Sequence, residues 1–144
     1  MENQPQMSIE DALKIAGENF EKGRYHASLD LYTAILKARP DILIANLRIA
    51  EINESFGNHE VAALFYENII KSHPLDTGHL SGYIRLKIKT GNIDEARNIF
   101  KRIENIFKNA GDWDQYDCLA KQLNPERKIN FFYQTTPLIL KASG

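Results

Sequence analysis

The sequence predicts an all-α fold built from consecutive helix pairs, on three observations. A pattern of glycine, small residue and aromatic recurs at a spacing of 34 residues, capping residues stand where helices should begin, and two prolines stand where helices should end. Such a period is the mark of a repeat architecture, in which each helix pair buries its apolar face on its neighbour.

The register needs no insertion or deletion. Gly23 is followed by Ser28, Tyr32, Leu36 and Pro40; Gly57 by Ala62, Tyr66, Ile70 and Pro74; Gly91 by Ala96 and Phe100. An apolar pair precedes each glycine: Ile15-Ala16, Ile49-Ala50 and Tyr83-Ile84. Each glycine falls where one helix must stop and the chain reverse, because glycine enters the left-handed region at little cost. The small residue five places on lets the returning helix come close. The aromatic four further on shares that face and fills the space between the pair. Pro40 and Pro74 end the second helices, since proline cannot continue one. In the third segment Lys108 stands at the proline position, so its second helix should run longer.

Capping signals fit the same frame. Ser8 with Asp11, Asn92 with Glu95 and Asp112 with Gln115 read as capping boxes, and Asp41 and Asp76 stand where helices should start. The expected helices are 8–22, 25–38, 42–56, 59–72, 77–89, 93–109, 112–123 and 125–134.

The period and the spacing of its apolar and aromatic positions resemble those of tetratricopeptide repeats (TPR), in degenerate form. Ala12, Asn46 and Leu80 stand at the usual Trp, and Asn19, Asn53 and Lys87 at the usual Tyr. The resemblance covers residues 8–110. It implies a right-handed α-solenoid of three TPR helix pairs, 8–41, 42–75 and 76–110, after a disordered segment 1–7. Capping helices follow over 111–135, and a tail over 136–144.

The ends of the solenoid are expected from matched positions. Asp11, Glu18 and Lys22 in the first repeat correspond to Ala45, Ile52 and Phe56 in the second. The first set suits water and the second needs cover, so the solenoid should begin here. At the other end, Ile99, Phe100, Ile103, Ile106 and Phe107 are too much apolar surface to leave open. Trp113, Tyr116, Leu119, Ala120 and Leu123 recur at helical spacing and should cover it. Ile129, Phe132 and Tyr133 form a further stripe, and Pro137–Leu140 is an apolar tail that docks in cis, in trans, or leads into more protein.

Composition excludes several function classes. With 18 basic and 19 acidic residues the net charge is −1, which gives no general pull toward nucleic acid. No apolar run approaches the roughly 20 residues of a membrane span. The N-terminus lacks the basic and apolar regions of a secretory leader. A lone Cys118 forms no internal disulfide and no zinc knuckle, and a reducing, cytoplasmic setting is expected. His26, His59, His73 and His79 have no metal spacing, and Asp112, Asp114 and Asp117 read as helix-dipole partners. No phosphate-cradling glycine loop occurs. No catalytic residue, cofactor or metal is therefore expected.

In the family the first helix of each pair lines the concave face. The resemblance thus implies a partner-binding groove that includes Leu13, Lys14, Phe20, Ile44, Leu47, Arg48, Glu51, Arg85, Ile88 and Lys89. The two-carboxylate clamp of chaperone-binding members falls here on Leu13, Gly17, Arg48, Gly78 and Gly82, of which only Arg48 suits a carboxylate. Both charges of the third repeat, Arg85 and Lys89, are positive, and Gly78, Ser81 and Gly82 suggest a smooth patch. The expected ligand is an amphipathic protein or peptide segment of some acidic character, bound by a small chaperone or adaptor. Two other readings stand beside this one: a recruiting domain at the N-terminus of a glycosyltransferase- or methyltransferase-type enzyme, and a self-assembling homo-oligomeric scaffold.

Overall fold

A computed structural model describes residues 6–125. Seven helices follow one another: α1 (Ile9–Glu21), α2 (Tyr25–Ala38), α3 (Leu43–Ser55), α4 (His59–Ser72), α5 (Thr77–Lys89), α6 (Ile93–Ala110) and α7 (Trp113–Leu123). No strand occurs among the described residues. Each boundary lies within one residue of the sequence expectation. The expected helix 125–134, from residue 126 on, and the 136–144 tail lie outside the described residues, as do residues 1–5. The chain divides into two compact units, Met1–Pro74 with α1–α4 and Leu75–Gly144 with α5–α7.

The reversals within the pairs share one mechanism. Gly23, Gly57 and Gly91 have φ of +72°, +78° and +83°. At each, the glycine N–H donates three residues back and the next N–H five residues back. Arg24 thus reaches the Asn19 carbonyl at 2.8 Å, Asn58 that of Asn53 at 2.8 Å, and Asn92 that of Lys87 at 2.9 Å. These bonds satisfy carbonyls that a helix end otherwise leaves open. α6 has no proline to stop it and runs 18 residues, against 14 for α2 and α4. Its stop is Gly111, at φ +71° with the same pair of bonds.

The close approach falls where the repeat places its small residue. Ser28, Ala62 and Ala96 are wholly buried, and the Ser28 hydroxyl donates to the Ala16 carbonyl at 2.8 Å. Tyr32, Tyr66 and Phe100 are buried as well. In the first unit, Ala45 and Ile52 are covered, while Phe56 is 38% exposed and lies flat against His26. Asp11, Glu18 and Lys22 face solvent. In the second unit, α7 closes the α6 face: Phe107, Leu119 and Leu123 are almost wholly buried, and Phe100 meets both Phe107 and Tyr116.

Two expected caps differ. α3 is capped at Ile42, and the Asp41 carboxylate instead takes both forks of Arg39, at 3.1 and 3.2 Å. Asn92 makes no side-chain cap bond and gives its amide to Thr90. For Asn92 the backbone explains this, because a capping side chain reaches its target from an extended residue. Ser8 at ψ 157° and Asp76 at ψ 108° hold their cap bonds at 3.0 Å. Asp112 at ψ 65° stretches to 3.4 Å, and Asn92 at ψ 55° holds none.

Phe107 is wholly enclosed and packs on Phe100, whose ring meets Tyr116 of α7. Phe107→Ala should therefore lower stability by about 3–5 kcal/mol in a denaturant titration followed by Trp113 emission. A loss below about 1 kcal/mol would show that α7 does not close this face.

Candidate functional site

In the first unit the residues expected to bind lie on α1 and α3. Leu13 and Phe20 are half-buried and pack against the core of Ala16, Tyr32, Ile49 and Ile52, whereas Lys14 is exposed. On α3, Ile44, Leu47, Arg48 and Glu51 follow one helical stripe. Ile44 is 40% exposed, and the other three are half-buried.

Arg48 ties three helices together. Its guanidinium lies 4.3 Å from the centre of the Phe20 ring on α1 and pairs with Glu51 at 2.7 Å. Burial works against its charge, but the carboxylate of Glu51, with Tyr32 and Glu21, outweighs that and holds the guanidinium pKa above its ordinary value. Arg48 also faces the Tyr32 phenol of α2, whose pKa burial raises while Arg48 partly offsets the rise. That phenol lies beside Gly17, where an added Cβ would stand at an ordinary contact distance of 3.8 Å from its oxygen. A cation stacked on a ring is worth about 0.5–2 kcal/mol, so Arg48 is partly committed to its own unit.

In the second unit Arg85 and Lys89 are exposed on α5 and Ile88 is half-buried. The smooth patch expected at Gly78, Ser81 and Gly82 is corrected: Ser81 is wholly buried, because α7 lies over it. Its hydroxyl donates to Gln115 Oε1 at 2.8 Å, and Arg85 Nη1 donates to the same atom at 3.0 Å. Thr77 donates to Asp112 at 2.6 Å one turn earlier. Sequence reasoning placed Gln115 only in a capping box with Asp112 and missed its contact with α5, although it stands 34 residues after Ser81 and so continues the register onto α7.

The other reactive groups are dispersed. His26 stacks on Phe56, His73 Nδ1 meets Ser72, and His79 lies 3.8 Å from Asp76. Cys118 is exposed and receives the Gln122 amide at 3.4 Å. Among the described residues no three His, Cys, Asp or Glu side chains group as metal ligands, and no helix is long and apolar enough to cross a membrane.

No protein-family model and no curated protein matches the chain. Solved structures do. A tetratricopeptide repeat protein from Parabacteroides merdae is 17% identical with a TM-score of 0.63, over 87% of this chain and 54% of that one. A thermophilic TPR protein from Thermus thermophilus is 17% identical with a TM-score of 0.55, over 81% of this chain and 73% of that one. The chain has a tetratricopeptide-repeat fold. It spans about half the length of the Parabacteroides structure, 54%.

In TPR terms the departures from the pattern become intelligible. Asn46, at the usual Trp, donates its amide to the carbonyls of Pro40 and Ile42, both at 3.0 Å. Asn53, at the usual Tyr, donates to Ile49 and accepts from Asn58. Both are 6% exposed, and their bonds satisfy polar atoms whose burial otherwise costs stability. These asparagines hold loops in place of the missing rings.

The Tyr32 environment gives a test of this packing. In the folded chain the phenol keeps its proton past its ordinary value of 10.0, where the unfolded chain has begun to lose it. Stability from this source is complete below that pH and declines as pH rises through and beyond it. Denaturation between about pH 9 and 11 should show a shallower alkaline decline for Tyr32→Phe than for the unaltered chain. Identical slopes would contradict the buried phenol.

Proposed function

We propose that this chain is a non-catalytic protein-interaction module of the cytoplasm, a small chaperone or adaptor, that holds an amphipathic partner segment on its first helices. The observation that carries the reading is the α3 stripe: Ile44 is 40% exposed and is followed by half-buried Leu47 and Arg48, on a repeat fold. Leu13 and Phe20 on α1, with Ile88 beside Arg85 and Lys89 on α5, extend the same chemistry to the other first helices. Apolar contacts flanked by cations suit a peptide with apolar and acidic positions. As the recruiting domain of a larger enzyme, the chain would bind through these same residues.

One observation favours a second surface. On α4, Val61 and Leu64 are one turn apart and 41% and 59% exposed. Such a pair on a second helix suits self-association or a partner on the opposite side.

Capture of a partner identified by affinity purification separates the two. Leu47→Glu, and the pair Arg85→Glu with Lys89→Glu, should each weaken capture about tenfold or more, with an unchanged helical spectrum. The charge reversal should matter less as salt rises, since exposed charges are screened over about 8–10 Å. Leu64→Glu should leave capture intact. Loss of capture in Leu64→Glu alone would move the binding surface to α4.

A further inference from the structure

We propose that Arg85, Gln115 and Lys89 form a carboxylate seat on the α5–α7 face that receives the acidic side chains of a peptide. This rests on the partner-binding reading above and names the chemistry of one part of it.

The orientation of one amide comes first. The side-chain oxygen and nitrogen of glutamine are nearly alike in shape, and the hydrogen bonds around them decide which is which. Arg85 has only donors, so the Gln115 atom it meets at 3.0 Å must be the oxygen. The buried Ser81 hydroxyl donates to the same oxygen at 2.8 Å. That oxygen is therefore filled from two sides and locked toward α5. The Gln115 NH2 then has both N–H groups uncommitted among the described residues.

Arg85 spends one N–H on this contact and keeps the rest of its fork. Lys89 stands one turn further along α5, about 6 Å away on the same side, and is likewise exposed. The result is a row of donors from an amide, a guanidinium and an ammonium, with no acceptor among them. Asp112, the nearest acid in register, is already engaged by the Thr77 hydroxyl at 2.6 Å and the Gln115 N–H at 3.4 Å. Asp114 and Asp117 lie about 100° and 160° around α7 from Gln115. A donor-only row calls for an acceptor-only ligand, and the ionised carboxylate is that group among protein side chains. Because the row extends over a turn, it matches successive acidic side chains better than a single chain terminus. Gln115 positions Arg85 and also offers its own N–H pair.

The test uses the full chain and a short Leu/Glu peptide, acetylated and C-terminally amidated, followed by nitrogen–proton NMR. A matched Leu/Gln peptide, with and without a free terminal carboxylate, serves as the comparison. The Gln115 side-chain amide, assigned by its loss in Gln115→Met, reports directly on the seat. The Leu/Glu peptide should shift that amide, and Arg85→Gln should weaken binding about tenfold. Gln115→Glu keeps the size but puts a carboxylate on Arg85, and it should weaken binding similarly. Methyl signals of Ile44 and Leu47 report on the wider reading. If they move while the Gln115 amide stays still, the seat is overturned and the wider reading survives. If no first-helix residue moves at millimolar peptide, both fail. Equal binding by the Leu/Gln peptide would overturn carboxylate recognition. Binding by that peptide only when its terminal carboxylate is free would assign the seat to a chain end and overturn the acidic-segment proposal.

Discussion

Each helix pair depends on one backbone constraint: the first helix must end on a residue in the left-handed conformation. Gly23, Gly57 and Gly91 meet it, and the paired hydrogen bonds around them fix how the chain leaves the helix. Once the exit is fixed, the residue five places on must lie against the first helix, and only a small one fits. The aromatic at the ninth place then closes the pair. The same constraint sets which residues of each second helix are buried: Ser28, Tyr32 and Ile35 on α2, and Ala62, Tyr66 and Ile69 on α4. Tyr32 is one of these. It lies beside Gly17, and its phenol meets the guanidinium that rests on Phe20.

Helix ends and the repeat register were legible because their causes are local. A glycine that must adopt positive φ, a proline that must stop a helix and a residue that must be small each leave a mark at one position. The absence of a proline foretold the long α6, and the stripe of α7 foretold its packing on that helix, where Tyr116 meets Phe100. The cap at Asn92 was misread because residue type does not state ψ, and the one at Asp41 because α3 starts one residue later and Arg39 takes the carboxylate. The site was legible in outline only. Arg48 with Glu51 is visible as a pair three residues apart, but Phe20 lies 28 residues away and nothing in the sequence announces that contact. The contact of Gln115 with α5 escaped because Pro125 stands where the next glycine was due, so α7 read as a lid rather than a continuation.

The cations differ in how far they are committed. Arg39 with Asp41 is an exposed pair, of a kind that adds little to stability. Arg48 is bound into the packing of its own unit, stacked on a ring and held by a carboxylate. Arg85 and Lys89 are exposed, and Gln115, which meets Arg85, is neutral and leaves the positive charge uncompensated. A ligand that meets Arg48 must therefore compete with Glu51, whereas one that meets Arg85 meets a charge already oriented. This asymmetry is why the carboxylates of a ligand are assigned to Arg85 rather than to Arg48.

The claim that the partner lies on the first helices is tested most directly by methyl-labelled NMR of the chain with its purified partner. The account predicts shifts at Ile44, Leu47 and Ile88, with Val61 and Leu64 unchanged. Shifts confined to Val61 and Leu64 would contradict it, because the partner would then rest on a second helix.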